Sequence, residues 1–272
     1  LRGEPGLSSP KLNEWGCQFR SGRQVQRKMI SFAAAGEIAG TQSDGMSANR
    51  YALLSFSREK TGIITRFCEK TSGPFMLTPF LLSLLCRSYA LLLDELPVPG
   101  NILIPMSVDL RGRAGIARDA VFFNQWSLQP LLIPRELCVN PEAVFAELKG
   151  QIFENMSEQL PQAFRAASRL GRIAPFPFLM SLVNKTKRTG CGTFMYSFLS
   201  ESSLKSGEFC GHRILNLYHI PSMPPVTGAG VFMNSFGGAL NVTLSYREDS
   251  LTPNAVRRFI SSFVSALPKE AQ

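Results

Sequence analysis

Residues Leu103–Leu128, LIPMSVDLRGRAGIARDAVFFNQWSL, decide how the chain is read, because they spell two strands joined by a basic, glycine-containing turn segment. From Asn101 to Leu110 the even positions are Ile102, Ile104, Met106, Val108 and Leu110, and the odd ones are Asn101, Leu103, Pro105, Ser107 and Asp109. A period of two marks a strand, whose successive side chains point to opposite faces. The even face is wholly apolar and is expected to be buried. The odd face brings Ser107, Asp109 and, one step further, Arg111 to one side. The second strand, Val121–Leu128, is expected to set Phe122, Asn124, Trp126 and Leu128 together, with Gln125 next in sequence. An amide among large apolar side chains needs partners, since leaving it unsatisfied costs about 1–3 kcal/mol.

Upstream, Tyr51–Phe56 reads as a strand leading into a helix at Arg58–Thr71. Phe75–Leu93 is the most apolar window. Thr78-Pro79 is a cap and first-turn signal, so a buried helix from Pro79 to about Asp94 is expected. No transmembrane segment is expected there, because Pro79 and Arg87 shorten the uncharged run against the roughly 20 residues a bilayer requires. Residues 1–49, rich in Gly, Ser, Arg and Gln, read as an exposed connector in which Lys28–Ala35 forms a short strand or helix.

Downstream, Asn140-Pro141-Glu142 repeats the helix-start grammar, and Val144, Phe145, Leu148, Ile152, Phe153, Met156 and Leu160 follow at helical spacing as a core face. Pro175 and Pro177 interrupt the pattern, and a short helix is expected from Phe178 to Val183. Gly192–Ser200 and Arg213–Ile220 are strand candidates. Gly230–Ser235 and Ala239–Tyr246, joined through Gly237-Gly238, read as a hairpin. Its second strand alternates Leu240, Val242, Leu244 and Tyr246 with Asn241, Thr243 and Ser245, predicting one wet face. The last helix starts at Thr252-Pro253 and carries Val256, Phe259, Ile260, Phe263, Val264 and Leu267 as a core face.

At 272 residues and 44% hydrophobic content the chain can bury a sizeable core. A net charge of +9 fits an anionic partner: nucleic acid, an anionic membrane surface, a phosphate-bearing ligand or an acidic carrier protein. Arg20, Arg23, Arg27 and Lys28 form one modest cluster and Lys185, Lys187 and Arg188 another, each ordinarily a solvated face. A nucleic-acid partner is not expected, because the basic residues are not interleaved with exposed aromatics in a recognisable module. The six cysteines include no C-x-x-C pair, so no metal site is expected; Cys68 and Cys86 sit in apolar helical patterns as reduced core thiols. That usage points to the cytoplasm. The sequons at Asn155, Asn184 and Asn241 are short patterns that arise by chance, and nucleotide-binding, P-loop, nucleophile-elbow and zinc-protease motifs are absent.

PMSVDLRGR and VFFNQW together resemble a segment of condensation domains and the related CoA-dependent acyltransferases, where a strand ending in arginine, a short loop and a strand with an aromatic-aromatic-asparagine core follow one another. The order of elements agrees over about residues 50–267, including a late strand in GGALNVTLSYRED. The resemblance implies an α/β fold, with a mixed sheet flanked by helices as one lobe of a chloramphenicol-acetyltransferase-like fold. Residues 50–272 would be its C-terminal lobe and 1–49 a connector from a missing N-terminal lobe. It implies transfer of an acyl group from a CoA or carrier-protein thioester to a hydroxyl or amine. CoA or phosphopantetheine is then a donor substrate, and no cofactor is held permanently.

Under the resemblance, Arg111, Asp109 and Asn124 support the active site. Ser107, Gln125 and His219 line the substrate cleft. Arg111, with Arg113 as fallback, would hold the aspartate of the family's His-x-x-x-Asp motif; the alternative is local, a surface pair of Asp109 and Arg111, which lie two apart on one strand face and would contribute at most about 1 kcal/mol. That motif is missing from this chain. Its two histidines, His212 and His219, are followed four residues later by Asn216 and Met223, and seven residues apart on one strand they would point to opposite faces. The other reading is a binding or scaffolding domain that kept the fold without the catalytic histidine.

Overall fold

The computed structural model describes residues 15–40, 46–95, 98–111, 125–181, 192–201, 207–223 and 227–269. Strand β2, Ile102–Asp109, forms where the alternation predicts it and pairs antiparallel with β3, Trp126–Ile133. On its other side it runs parallel to β4, Met195–Glu201. Strand β4 is in turn parallel to β7, Ala229–Phe236, which makes an antiparallel hairpin with β8, Ala239–Arg247. Strand β1, Asn49–Phe56, closes the far edge against β8. The order β1-β8-β7-β4-β2-β3 makes a mixed six-stranded sheet, beside which β5, Glu208–Phe209, and β6, His212–Arg213, form a separate two-stranded ribbon. Left-handed Gly237 and Gly238 make the tight β7–β8 turn, a conformation that favours glycine.

One face of the sheet is continuous core. Ile104, Tyr196, Val231, Leu244 and Leu54 project from neighbouring strands onto helices α3, Leu77–Glu95, and α6, Pro253–Ala266. Tyr89 of α3 stacks on Phe194 at 4.8 Å and meets Phe259 of α6 edge-on at 5.7 Å. Each fully buried side chain of this size contributes about 1.5–3 kcal/mol. Helix α2, Arg58–Ser72, begins under Ser57, whose hydroxyl accepts from the Lys60 N–H. Helix α3 starts at Leu77, two residues before the expected Pro79, because a proline fits the first turn. The window Leu77–Asp94 is long and apolar enough to cross a membrane, so its proline and arginine do not rule that out; 67% of it is buried inside the protein, as in a core helix.

The other face departs from the expected one-sided strand. Residues 102–106 are all buried, because helix α1, Trp15–Ala34, lies over the odd face and packs Phe32 against Leu103 and Leu132. The helix is longer than Lys28–Ala35 and occupies much of the segment read as connector.

Strand β3 runs from Trp126 and continues beyond Leu128 to Ile133, while residues 121–124 of the expected strand lie outside the described residues. It is an edge strand, and helix α4, Pro141–Ser157, covers it with side-chain amides. Gln151 donates to Leu132 O at 2.6 Å and accepts from Leu132 N at 2.9 Å, while Asn155 donates to Pro130 O at 3.2 Å. An edge satisfied in this way does not recruit another chain. Asn155 and Asn241 are fully buried, which removes both as glycan acceptors.

Three further expectations change. Helix α4 does not run on to Leu160: Gln159 is left-handed and a second helix, α5, Leu160–Ser168, starts there. The apolar stripe of α4 is only partly core, with Val144 and Leu148 buried but Phe153 77% exposed. The polar face of β8 is not wet, since Asn241, Thr243 and Ser245 are all buried. What covers it is the segment expected to be a strand at Arg213–Ile220, which is irregular beyond Arg213 and is held by side-chain amides instead of a ladder.

Cys68, Cys86 and Cys138 are buried free thiols, and burial pushes all three up, Cys138 to about 12.

Candidate functional site

Strands β2 and β4 are parallel, so their carboxyl ends lie together, which is where open α/β sheets usually bind ligands. A cavity of about 460 Å³ opens there. Ser107, Asp109, Arg111, Gln125 and His219 all line it, so one site gathers five residues that the sequence spreads over more than a hundred positions. Asn124 and Arg113 lie outside the described residues.

The β2 tip is locked by a local turn. Asp109 Oδ1 accepts from the Arg111 backbone N–H at 2.9 Å and from its Nε at 3.0 Å, while Asp109 Oδ2 lies 2.8 Å from the second guanidinium nitrogen. The carboxylate beside it raises the guanidinium pKa further, so Arg111 is a fixed cation at the cavity wall. Both side chains remain about half exposed, so the pair itself is worth at most about 1 kcal/mol. Across the antiparallel register Asp109 faces Trp126. Gln125 is buried and its Oε1 accepts from Arg165 of α5 at 2.8 Å, which fixes its carboxamide on the wall. Ser127 donates to Pro161 O at 2.6 Å and ties the start of β3 to the same helix.

His219 arrives from the opposite side on the irregular segment. Asn234 of β7 donates to Leu217 O at 2.8 Å and accepts from the His219 backbone N–H at 3.3 Å. Asn241 of β8 donates to Asn216 Oδ1 at 2.8 Å and to Leu217 O at 3.0 Å, and it accepts from Ser55 of β1 at 2.8 Å. Three strands thus sew the segment down by amide hydrogen bonds. The imidazole packs on the Phe232 ring at 5.6 Å between centroids, and its buried Nδ1 has no hydrogen-bond partner among the described residues. Burial pushes the His219 pKa down, so it is a neutral imidazole at neutral pH. His212 sits apart, exposed on β6.

The walls also include Ser197 of β4 and Phe232 of β7, which the sequence reading did not single out. Ser197 carried a usable signal: it is the small polar member between Tyr196 and Phe198 in the apolar first part of the strand, residues 195–199. The arrangement offers one cation paired to a carboxylate, one neutral imidazole, two hydroxyls and a carboxamide around an apolar floor. It can bind and orient an anionic or amide-bearing ligand. Among the described residues no carboxylate is hydrogen-bonded to His219 Nδ1. No cluster of three or more His, Cys, Asp or Glu side chains that could hold a metal ion occurs among the described residues.

No family model and no curated protein matches the sequence. Solved structures do match. The trichothecene 15-O-acetyltransferase of Fusarium sporotrichioides aligns with a TM-score of 0.63 at 16% identity, over 90% of this chain and 51% of its own. The epimerization domain of the third module of tyrocidine synthetase B aligns at 0.60 and 10% identity, over 95% and 58%. PapA2 acyl transferase aligns at 0.53 and 13% identity, over 97% and 57%. The chain therefore carries the fold of the condensation domains and CoA-dependent acyltransferases, and it spans about half the length of these structures.

Proposed function

We propose that the chain is the C-terminal lobe of an acyltransferase that moves an acyl group from a CoA or carrier-protein thioester to a hydroxyl or amine. The observation that carries this reading is the cavity at the β2 and β4 tips, where Ser107, Asp109, Arg111, Gln125 and His219 converge in a fold shared with acyltransferases. In this reading the chain supplies one wall and the floor. A histidine on an N-terminal lobe removes the proton from the acceptor, which is a poor nucleophile until then. Arg111, already oriented by Asp109, extends its charge to the aspartate of that histidine's motif and positions the catalytic loop. His219 and Gln125 contact the thioester arm. The donor is a substrate and no cofactor stays bound. The setting is cytoplasmic, where the buried thiols stay reduced.

A non-catalytic binding domain is the second reading, and one feature favours it: among the described residues His219 Nδ1 has no partner that would orient it as a base. Thiol release from a panel of acyl-CoA donors separates the two. This chain alone is expected to be inactive, and the full-length protein carrying a His-x-x-x-Asp lobe active. Turnover by this chain that survives both His219→Ala and His212→Ala overturns the assignment of the chemistry to the other lobe. A full-length protein with no such motif and no turnover leaves the binding domain.

A further inference from the structure

We propose that a second cavity, on the helix-covered side of the sheet, binds an apolar chain that carries one hydrogen-bond donor, a hydroxyl or an N–H. The cavity measures about 980 Å³ and meets the first at Ser107, Val108, Asp109 and Phe198. Its walls are Met106 and Phe198 of the sheet and Phe145, Ile152, Phe153 and Met156 of α4. These α4 residues are the part of the apolar stripe that packing leaves uncovered; Phe153 is 77% exposed, whereas Val144 and Leu148 on the adjoining stripe are fully buried. Apolar walls with a few placed polar groups are the usual make-up of a small-molecule site.

The lining also includes Thr78, Ser107, Asp109 and Lys149, and the placed polar group is Gln129 of β3, which is buried more deeply than these four. It is 1% exposed and lines this cavity. Its Nε2 donates to Ile152 O at 3.2 Å, which fixes the amide orientation, and its Oε1 is buried with no partner among the described residues. A buried oxygen of that kind accepts, so the complementary ligand atom must donate. Gly150 is the second sign. It lies within α4, where glycine is unfavourable, and it lines the cavity. A Cβ added there meets nothing within 4 Å, so the protein's own packing does not require glycine, and its effect is to keep the space open. At the rim Phe75 is held at φ 65° and is 96% exposed, an unfavourable conformation for an aromatic residue that places its ring beside the opening. The acyl-transfer reading would make this chain part of one of its substrates, but the site rests on its own geometry.

The test uses calorimetric titration of the purified chain with hexanol, octanol and decanol and with the methyl ether of each, which keeps the chain and loses the donor. Affinity is expected to rise about fourfold per methylene, the equivalent of 0.8 kcal/mol. Each alcohol is expected to bind roughly tenfold tighter than its ether, within the usual effect of an unsatisfied buried acceptor. Octanamide against octanol then distinguishes an N–H from an O–H donor. Gln129→Met should abolish the preference for the alcohol and keep the chain-length dependence. Gly150→Phe should weaken every member, with thermal melting as the check that it folds and Gly150→Leu as the smaller replacement. A flat response to chain length, or a folded Gly150→Phe that binds unchanged, overturns the proposal. No probe contains CoA, so failure here leaves the acyl-transfer reading standing, and absence of CoA binding leaves this one standing.

Discussion

His219 and Arg111 sit on the same cavity but respond to different surroundings. Burial against Phe232 lowers the histidine's pKa, so between its folded value and about 6.5 the unfolded chain binds a proton that the folded one does not. Its contribution to stability is therefore full above about pH 6.5 and is lost as the pH falls through the folded value. Urea midpoints should drop from about pH 7.5 to pH 5.5 in the parent, and His219→Leu should flatten that drop. For Arg111 the expected loss depends on what faces it. In this chain Arg111→Ala breaks a half-exposed pair and should cost at most about 1 kcal/mol in chemical denaturation. In a two-lobed protein where it meets a buried aspartate the same change should cost roughly 3–5 kcal/mol, because a buried carboxylate is left uncompensated. Polar identity was legible in the sequence for Ser107, Asp109, Arg111, Gln125 and His219. The value of Gln129 and Gly150 was not, since it depends on which helix or loop lies opposite.

Elements were read well where a pattern is local and less well where a neighbour decides. Strands β2 and β4, the glycine hairpin and the proline-started helices follow from alternation, turn residues and caps. The polar face of β8 was misread as wet because nothing in its own alternation shows that an irregular segment seals it. That seal is testable. Asn241→Leu removes the amide that joins Ser55, Asn216 and Leu217, leaves buried polar atoms unpaired, and should cost about 2–3 kcal/mol. Limited proteolysis should then cut first near Leu215, which is already 86% exposed. On the opposite edge Gln151→Leu removes both bonds to Leu132 and should bare β3. Faster aggregation than the parent, read by light scattering, is the expected sign of an exposed edge strand. Equal stability and solubility of both variants would show that the amides are incidental to these elements.

At the scale of the molecule, the mixed sheet and the convergent cavity belong to a fold shared with acyltransferases, and the chain spans about half the length of those structures. The excess of positive charge, +9, fits a phosphate-bearing donor, which charge by itself could not select. Lys28 of α1 is neutralised by Glu154 at 3.2 Å, so the cluster read from the sequence is partly structural. Calorimetric titration of CoA into the full-length protein tests the central claim most directly. Weak binding at low salt that fades as salt is added, and that is reduced by His219→Ala, is the predicted result, because a screened charge contact and a wall of the cavity are both involved. No binding of CoA at low salt would contradict the acyltransferase account.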